Sequence, residues 1–353
     1  MKALVLSGGK GTRLRPLTFT LAKQLIPVAN KPILGYVLDQ IEEAGISEVG
    51  VIVAPETGDS VKDYVKDGSK WNFKTTTYIP QEPLGLAHAV KTAQPFLGED
   101  SFVMCLGDNV TGQGVGTFIK KFQKEQLDAL IILKEVSNPS SFGIAQLDNE
   151  GNIVKLAEKP KTPMGNLAII GTYIFSSKIH KAIGRIKPSW RGELEITDAL
   201  QEMINLGFKV KAEILNSWWL DTGKKDDILS ANNKILDECI QQDIRGKLTN
   251  SKVDGRVKIE AGANIVDSKI RGPCVIGKGV LIENSCIGPY TSIGDNSKIL
   301  NSTLEYCVIL ENVTITDVER LEESLIGKNA KVTKNPRNGT IRLHVGDYSD
   351  VEV

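Results

Sequence analysis

The sequence predicts an α/β domain built on a mostly parallel sheet, followed by a three-sided parallel β-helix. Two patterns carry this. Over residues 1–225 short β-branched runs alternate with amphipathic stretches, and from about residue 250 an Asn-Ser motif returns every 17 residues. Alternating strand and helix patterns imply crossover connections and parallel strands. A short, fixed repeat of turn-rich, β-branched sequence implies stacked coils, each covering the apolar face of the next.

Taken in order, Lys2–Ser7 reads as the first strand. Residues 32–44 read as a helix, because proline suits its first turn and Gly45 its stop. A strand at 49–54, a helix near 59–66, a strand at 75–79, a helix at 86–93 and a strand at 101–106 continue the alternation. Residues 226–244 read as a helix that connects to the second pattern, with the boundary near residue 245. There Asn250-Ser251-Lys252-Val253 recurs as Asp267-Ser268-Lys269-Ile270, Asn284-Ser285-Cys286-Ile287 and Asn301-Ser302-Thr303-Leu304. Two apolar ladders keep the same step: Ile259, Ile276, Ile293, Leu310, and Ile265, Ile282, Ile299. Within a unit the apolar positions are spaced 6, 6 and 5, as in Ile270, Ile276, Ile282 and Ile287, which gives one short strand per side. The pattern loosens after Leu310, although Leu321 keeps the step, and residues past about 335 read as an irregular tail.

Basic and acidic residues number 43 each. Net charge therefore points to neither a nucleic acid nor a membrane, and any positive charge that matters must be local. Only four apolar residues follow Lys2, against about 7–15 in a secretory signal, and no run approaches the roughly 18 of a membrane span. Five scattered cysteines without a CxxC pair point to reduced thiols in a cytoplasmic protein rather than disulfides or a zinc site. The three histidines, His88, His180 and His344, are far apart in sequence.

The stretch LSGGKGTRLRPLT, residues 6–18, follows the first strand, at the strand end where parallel sheets bind ligands. It is not the GxxxxGK[ST] phosphate loop. Nor is it GxGxxG, since Leu14 stands where the last glycine should be. What remains is a glycine turn that lets backbone amides approach an anion, with Arg13, Arg15 and Lys23 nearby; arginine offers forked contact to phosphate oxygens and lysine a compact charge. From these residues alone two readings stay open, a polyphosphate cradle or a glycine turn with solvated charges. Asp108 and Asp221 each end an apolar run. Two carboxylates from strand ends, completed by phosphate oxygens and water, make a typical Mg²⁺ site, and each taken alone is equally an ordinary turn aspartate.

Gly8-Gly9-x-Gly11-Thr12-Arg13-Leu14-x-Pro16-Leu17-Thr18, then Lys23-Gln24-Leu25-x-Pro27-Val28 and Lys31-Pro32, resemble the sugar-phosphate nucleotidylyltransferases. The resemblance continues through Gly107-Asp108-Asn109, Glu158-Lys159-Pro160, the run from Arg191 to Asp198 and Trp219-Leu220-Asp221-Thr222-Gly223. It implies a Rossmann-like nucleotidyltransferase domain over 1–245, including the connecting helix, and a left-handed β-helix over 246–353 with an irregular tail. It also implies Mg²⁺-dependent transfer from dTTP, or from UTP in a related or dual-specificity enzyme, to glucose 1-phosphate by a single in-line displacement. A sugar phosphate is already a competent oxyanion, so such catalysis rests on positioning and charge neutralisation.

By the same resemblance, Arg13, Lys23, Asp108, Lys159 and Asp221 are the catalytic residues, with Asp108 and Asp221 holding the metal. Leu6, Gly8, Gly9, Gly11, Thr12, Arg13, Lys23, Gln81, Gly85 and Asp108 hold the nucleotide. Gly143, Glu158, Lys159, Gly171 and Arg191 hold the sugar phosphate, with Asn166, Thr172 and Tyr173 nearby. One fewer residue separates Gln81 from Gly85 than in short-form relatives, and His88 replaces a glutamine; a helix-packed or capping role suits it. Asp198 with Gln201 reads as a capping pair, and Trp218 and Trp219 as core and rim. Residues 250–334 contain no histidine, which weighs against a second, acyl-transferring activity. The coils are expected to serve subunit association, giving a homo-oligomer. A non-catalytic regulatory subunit on the same scaffold is the alternative of another class, although all five catalytic candidates are present.

Overall fold

The structure, a computed structural model, describes residues 1–162, 164–334 and 343–352. The chain divides into two compact units, Met1–Lys10 with Ile33–Asp221, and Gly11–Pro32 with Thr222–Val353.

The first unit is a nine-stranded sheet. Its main path runs Ile153–Glu158, Gly143–Leu147, Leu167–Phe175, Phe102–Leu106, Lys2–Ser7, Glu48–Val53, Thr75–Pro80, and Ala129–Glu135 joins Leu167–Phe175 to Val210–Ile214. The last four strands of the path are parallel, as are Val210–Ile214 and Ala129–Glu135. Leu167–Phe175 runs antiparallel to its partners. The central strands are almost continuously apolar because helices cover both faces; Leu4, Val5, Val103 and Met104 have no exposed surface. Helix Ile33–Glu43 buries Ile33, Leu34, Val37, Leu38 and Ile41, a single stripe at helical spacing. Through residue 106 each expected element lies within one residue of its place.

The strand ends matter most. Leu6 pairs with Leu106, and Gly107 N donates to Leu6 O at 2.9 Å. Gly8 and Asp108 are therefore both two residues past a matched pair, at the carboxyl edge of adjacent parallel strands. Next to them Asn109–Thr111 pairs antiparallel with Trp219–Asp221, setting Asp221 opposite Asn109.

In the second unit, helix Lys225–Cys239 leads into three stacks of parallel strands, of seven, seven and five members among the described residues. This is the left-handed β-helix. The helix stops five residues before the expected 244, because Asp243–Ile244 already pairs with the next coil, and a waiting strand partner outweighs helical propensity. The Asn-Ser repeat has a clear cause. Asn250, Asp267, Asn284, Asn301 and Asp317 all turn the corner at φ between 46° and 58°, the left-handed region that Asn and Asp tolerate. Their side chains bond along the stack, Asn284 Nδ2 to Asn301 Oδ1 at 3.0 Å and Asn301 Nδ2 to Asp317 Oδ1 at 2.7 Å. The serines beside them accept from the next coil: Ser285 N to Ser268 Oγ and Ser302 N to Ser285 Oγ, both 3.0 Å. Inside, the isoleucine ladders are fully buried.

One rung breaks the 17-residue step. Ile293 pairs with Ile309, not with the expected Leu310, and Ile299 pairs with Ile315. The corner through Tyr306 is one residue shorter than the one through Tyr290, and the lost residue returns before Leu321, which pairs with Leu304. Of the stretch expected to be an irregular tail, residues 335–342 lie outside the described residues. Residues 343–352 instead add a last rung, with His344–Val345 on Leu325–Ile326 and Asp350–Glu352 on Lys331–Thr333.

Segment 11–32 belongs to this unit. It holds three short turns, Thr12–Leu14, Leu17–Phe19 and Lys23–Leu25. A tight hairpin pairs Pro27 with Pro32 and Val28 with Lys31. Its two central residues, Ala29 (φ 47°) and Asn30 (φ 61°), are both left-handed, as such a hairpin requires. For Ala29, with a Cβ and no polar side chain, that conformation costs about 1–2 kcal/mol. Something must hold it there.

Candidate active site

In the first unit the sheet edge gathers the expected base-reading residues. Gly8 lies beside Gln81, since a Cβ there would make ordinary contact with Ile52 Cγ2 at 3.4 Å and Gln81 Oε1 at 3.9 Å. Gln81 is buried, and its Nε2 donates to His88 Nδ1 at 2.9 Å. His88 thus orients the glutamine instead of capping its helix. Gly85 must be glycine: its φ is 107°, and a Cβ would meet Leu194 O at 2.3 Å. Leu194 N donates to Leu84 O at 2.8 Å and Ala87 N to Leu194 O at 3.1 Å, so the 81–87 segment is tied to the 191–195 segment.

Asp108 is buried at 5% exposure. Asn109 Nδ2 donates to Asp108 Oδ1 at 3.3 Å, and Trp219 Nε1 donates to Asn109 Oδ1 at 2.8 Å. Asn109 therefore links Asp108 to the strand that ends in Asp221. Gly171 lets its strand come close, since a Cβ would fall 2.8 Å from Leu106 Cβ and 2.9 Å from Asn109 Cγ. The two carboxylates flank one short ribbon. Among the described residues no group of three or more His, Cys, Asp or Glu could hold a metal. A cation here would draw its remaining oxygens from substrate and water, the coordination Mg²⁺ favours.

The third cluster is ionic. Arg191 contacts three carboxylates: Glu193 at 2.8 Å, Glu195 at 3.2 Å and Glu158 at 3.7 Å. Lys159 Nζ is 3.8 Å from Glu158, and Ser189 Oγ donates to Glu195 at 2.8 Å. Lys159 itself sits at φ 42°, a turn that separates its direction from that of Glu158. Burial pushes the Glu158 carboxyl up to about 7, the charge of Glu195 adds to this, and Lys159 and Arg191 pull it back. Gly143 closes the cluster, as a Cβ there would meet Thr197 Cγ2 at 2.8 Å and Glu158 Oε2 at 3.0 Å. Thr197 Oγ1 is buried without a hydrogen-bond partner. Tyr173 is buried, and desolvation, then the charge of Glu158, holds its phenol neutral.

Four expected residues, Gly11, Thr12, Arg13 and Lys23, belong to the second unit. Gly11 is left-handed at φ 62°, and a Cβ would lie 3.0 Å from Lys23 Cβ. Thr18 Oγ1 donates to Gly11 O at 2.7 Å and Leu14 N to the same oxygen at 2.9 Å. The loop is thus wound tightly around Gly11, with Lys23 beside it and Arg13 exposed. Arg15 lies over the Phe19 ring at 4.7 Å.

The structure brings Gly8 to Gln81, Asp108 to the Asp221 strand, and Gly143 to Glu158, Lys159 and Arg191. It corrects one reading. Helix Ile196–Asn205 starts after Glu195, so Asp198 is inside the first turn and is no cap, while Gln201 Oε1 accepts from Leu156 N at 3.1 Å. Sequence reasoning missed Glu195 and Asn109 as organisers, because each sat inside a motif quoted for its neighbours.

The pattern of the nucleotidyl transferase family matches residues 2–238. A glucose-1-phosphate thymidylyltransferase of Streptomyces antibioticus is 45% identical over 356 aligned residues, covering 100% of this chain and 99% of that one. A provisionally named glucose-1-phosphate thymidylyltransferase of Bacillus anthracis, solved with sucrose, superposes with a TM-score of 0.62 at 31% identity, over 66% of this chain and 94% of that one. UDP-glucose pyrophosphorylase in complex with UDP-glucose gives 0.61 at 25% identity, over 67% and 98%.

Proposed function

Because the chain belongs to the nucleotidyl transferase family, we propose that it transfers a deoxythymidylyl group from dTTP to glucose 1-phosphate, giving dTDP-glucose and pyrophosphate. The observation that carries the reading is the sheet edge where Asp108 and the Asp221 strand adjoin through Asn109.

The sugar-phosphate oxygen attacks the α-phosphorus, the bond to the β-phosphate breaks in line, and pyrophosphate leaves. No side chain needs to become a nucleophile. Arg13 and Lys23 neutralise the triphosphate, and Gly8, Gly9, Gly11 and Thr12 give its oxygens close access to backbone amides. Gln81, held by His88, and Gly85 face the base. Lys159 and Arg191 hold the sugar phosphate, while Glu158 accepts from a sugar hydroxyl. Mg²⁺ on Asp108 and Asp221 would supply charge neutralisation at the reacting phosphate when bound. In this reading residues 1–245 carry catalysis in the cytoplasm, and the coils of 246–353 serve association into a homo-oligomer.

The similarity to UDP-glucose pyrophosphorylase favours a second reading with UTP. The two bases differ by a methyl, which a pocket discriminates by only about 1–3 kcal/mol. Pyrophosphate release from glucose 1-phosphate and Mg²⁺ with dTTP or UTP at matched concentrations tests both. A dTTP preference above about tenfold supports the thymidylyl reading, equal rates or a UTP preference move it to the second, and no release with either sinks both.

A further inference from the structure

The segment bearing Arg13 and Lys23 is fastened to the coil stack at two separate points. At the first, Asn232 is fully buried on helix Lys225–Cys239. Its Oδ1 accepts from Ala29 N at 2.9 Å and from Ser292 Oγ at 2.7 Å, and its Nδ2 donates to Tyr290 O at 2.9 Å. One side chain thus joins the strained hairpin to a coil corner. Asn30 Nδ2 reinforces the joint by donating to Ile293 O at 2.6 Å. At the second point, Thr20 Oγ1 donates to Asp347 Oδ2 at 2.5 Å, while Lys328 N donates to Asp347 Oδ1 at 2.8 Å. Gly346 packs so closely that a Cβ would lie 3.0 Å from Pro16.

Strain persists only where surroundings over-determine it, and here the surroundings are a rigid stack. Lys23 stands between the two fastenings, against Gly11. We propose that Asn232 and the Thr20–Asp347 pair are positioning elements for the triphosphate, through which the β-helix sets the geometry of the Arg13–Lys23 loop. The coils then take part in nucleotide binding without touching the nucleotide. This rests on the reading given under Proposed function.

The test compares wild type, Asn232→Ala and Thr20→Val by steady-state kinetics for both substrates and by calorimetric titration with Mg-dTTP alone. Each variant should raise KM and Kd for dTTP by about five- to fiftyfold while KM for glucose 1-phosphate stays within twofold. Thr20→Ser, which keeps the hydroxyl, should restore wild-type affinity. Thr20 is on the surface, so Thr20→Val tests the idea even if Asn232→Ala does not fold. Equal changes for both substrates, or unchanged dTTP affinity in a folded Thr20→Val protein, would overturn the proposal. Failure of wild type to bind dTTP or UTP would instead overturn the functional reading, and this inference with it.

Discussion

Glu158 offers the sharpest test, because its environment opposes the charge that would make it the stronger acceptor. Burial, then Glu195, moves its carboxyl from 4.5 to about 7. That difference is worth about 3 kcal/mol against the ionised form. The folded protein holds a proton between these values that the unfolded chain has released. Its contribution to stability therefore falls as pH rises from about 4.5 to about 7 and is level above it. Sugar binding should run the opposite way, since the ionised carboxylate is the much stronger acceptor for a hydroxyl. At pH 6 only about a tenth of Glu158 is charged, against about half at pH 7, so kcat/KM for glucose 1-phosphate should fall about fivefold between pH 7 and 6. The substrate's own second phosphate ionisation, near 6, adds a shallower limb. Glu158→Gln should lose about ten- to a hundredfold at pH 8, the worth of a charged hydrogen bond, and keep only the shallow limb. The assay is pyrophosphate release at limiting glucose 1-phosphate from pH 5.5 to 9. A wild-type profile that is flat from 6 to 8, or a steep limb surviving in Glu158→Gln, would refute the reasoning.

Asp108→Asn should cut turnover by more than about a hundredfold, because it removes charge from the ribbon assigned to the metal; near-normal turnover would take Asp108 out of that role. Lys159→Ala should raise KM for glucose 1-phosphate at least about tenfold with dTTP affinity little changed, and titration with each substrate alone decides this. Ser285→Ala should leave the Ser302 amide, which now donates to Ser285 Oγ at 3.0 Å, buried without an acceptor. The expected cost is about 1–3 kcal/mol, read as a lower unfolding midpoint in urea with kinetic constants unchanged.

Much of this was legible in the residues, and the particular cases show why. The coil corners were visible because left-handed turns select Asn or Asp and the stacked hydroxyl selects Ser, so geometry repeats as letters. The shortened rung was hidden because Leu310 offers the same apolar character one residue past Ile309. Residues 240–244 looked helical because a strand that exists only by pairing with the next coil has no local signature. Asp108 and Asp221 were visible as acids ending apolar runs, but only the family resemblance favoured a metal site over ordinary turn aspartates, as their adjacency depends on a ribbon between strands more than a hundred residues apart. The fastening of residues 20, 29 and 30 to the coils was invisible for the same reason. Each is an ordinary loop residue until its distant partner is known.

The Thr20–Asp347 bond spans 327 residues of sequence, and the bond from Ala29 to Asn232 spans 203. During synthesis these partners do not exist when the loop leaves the ribosome. At about 5–20 residues per second, Thr20 waits roughly 16–65 s for Asp347 to be made. The segment that is translated almost first therefore acquires its full set of contacts almost last.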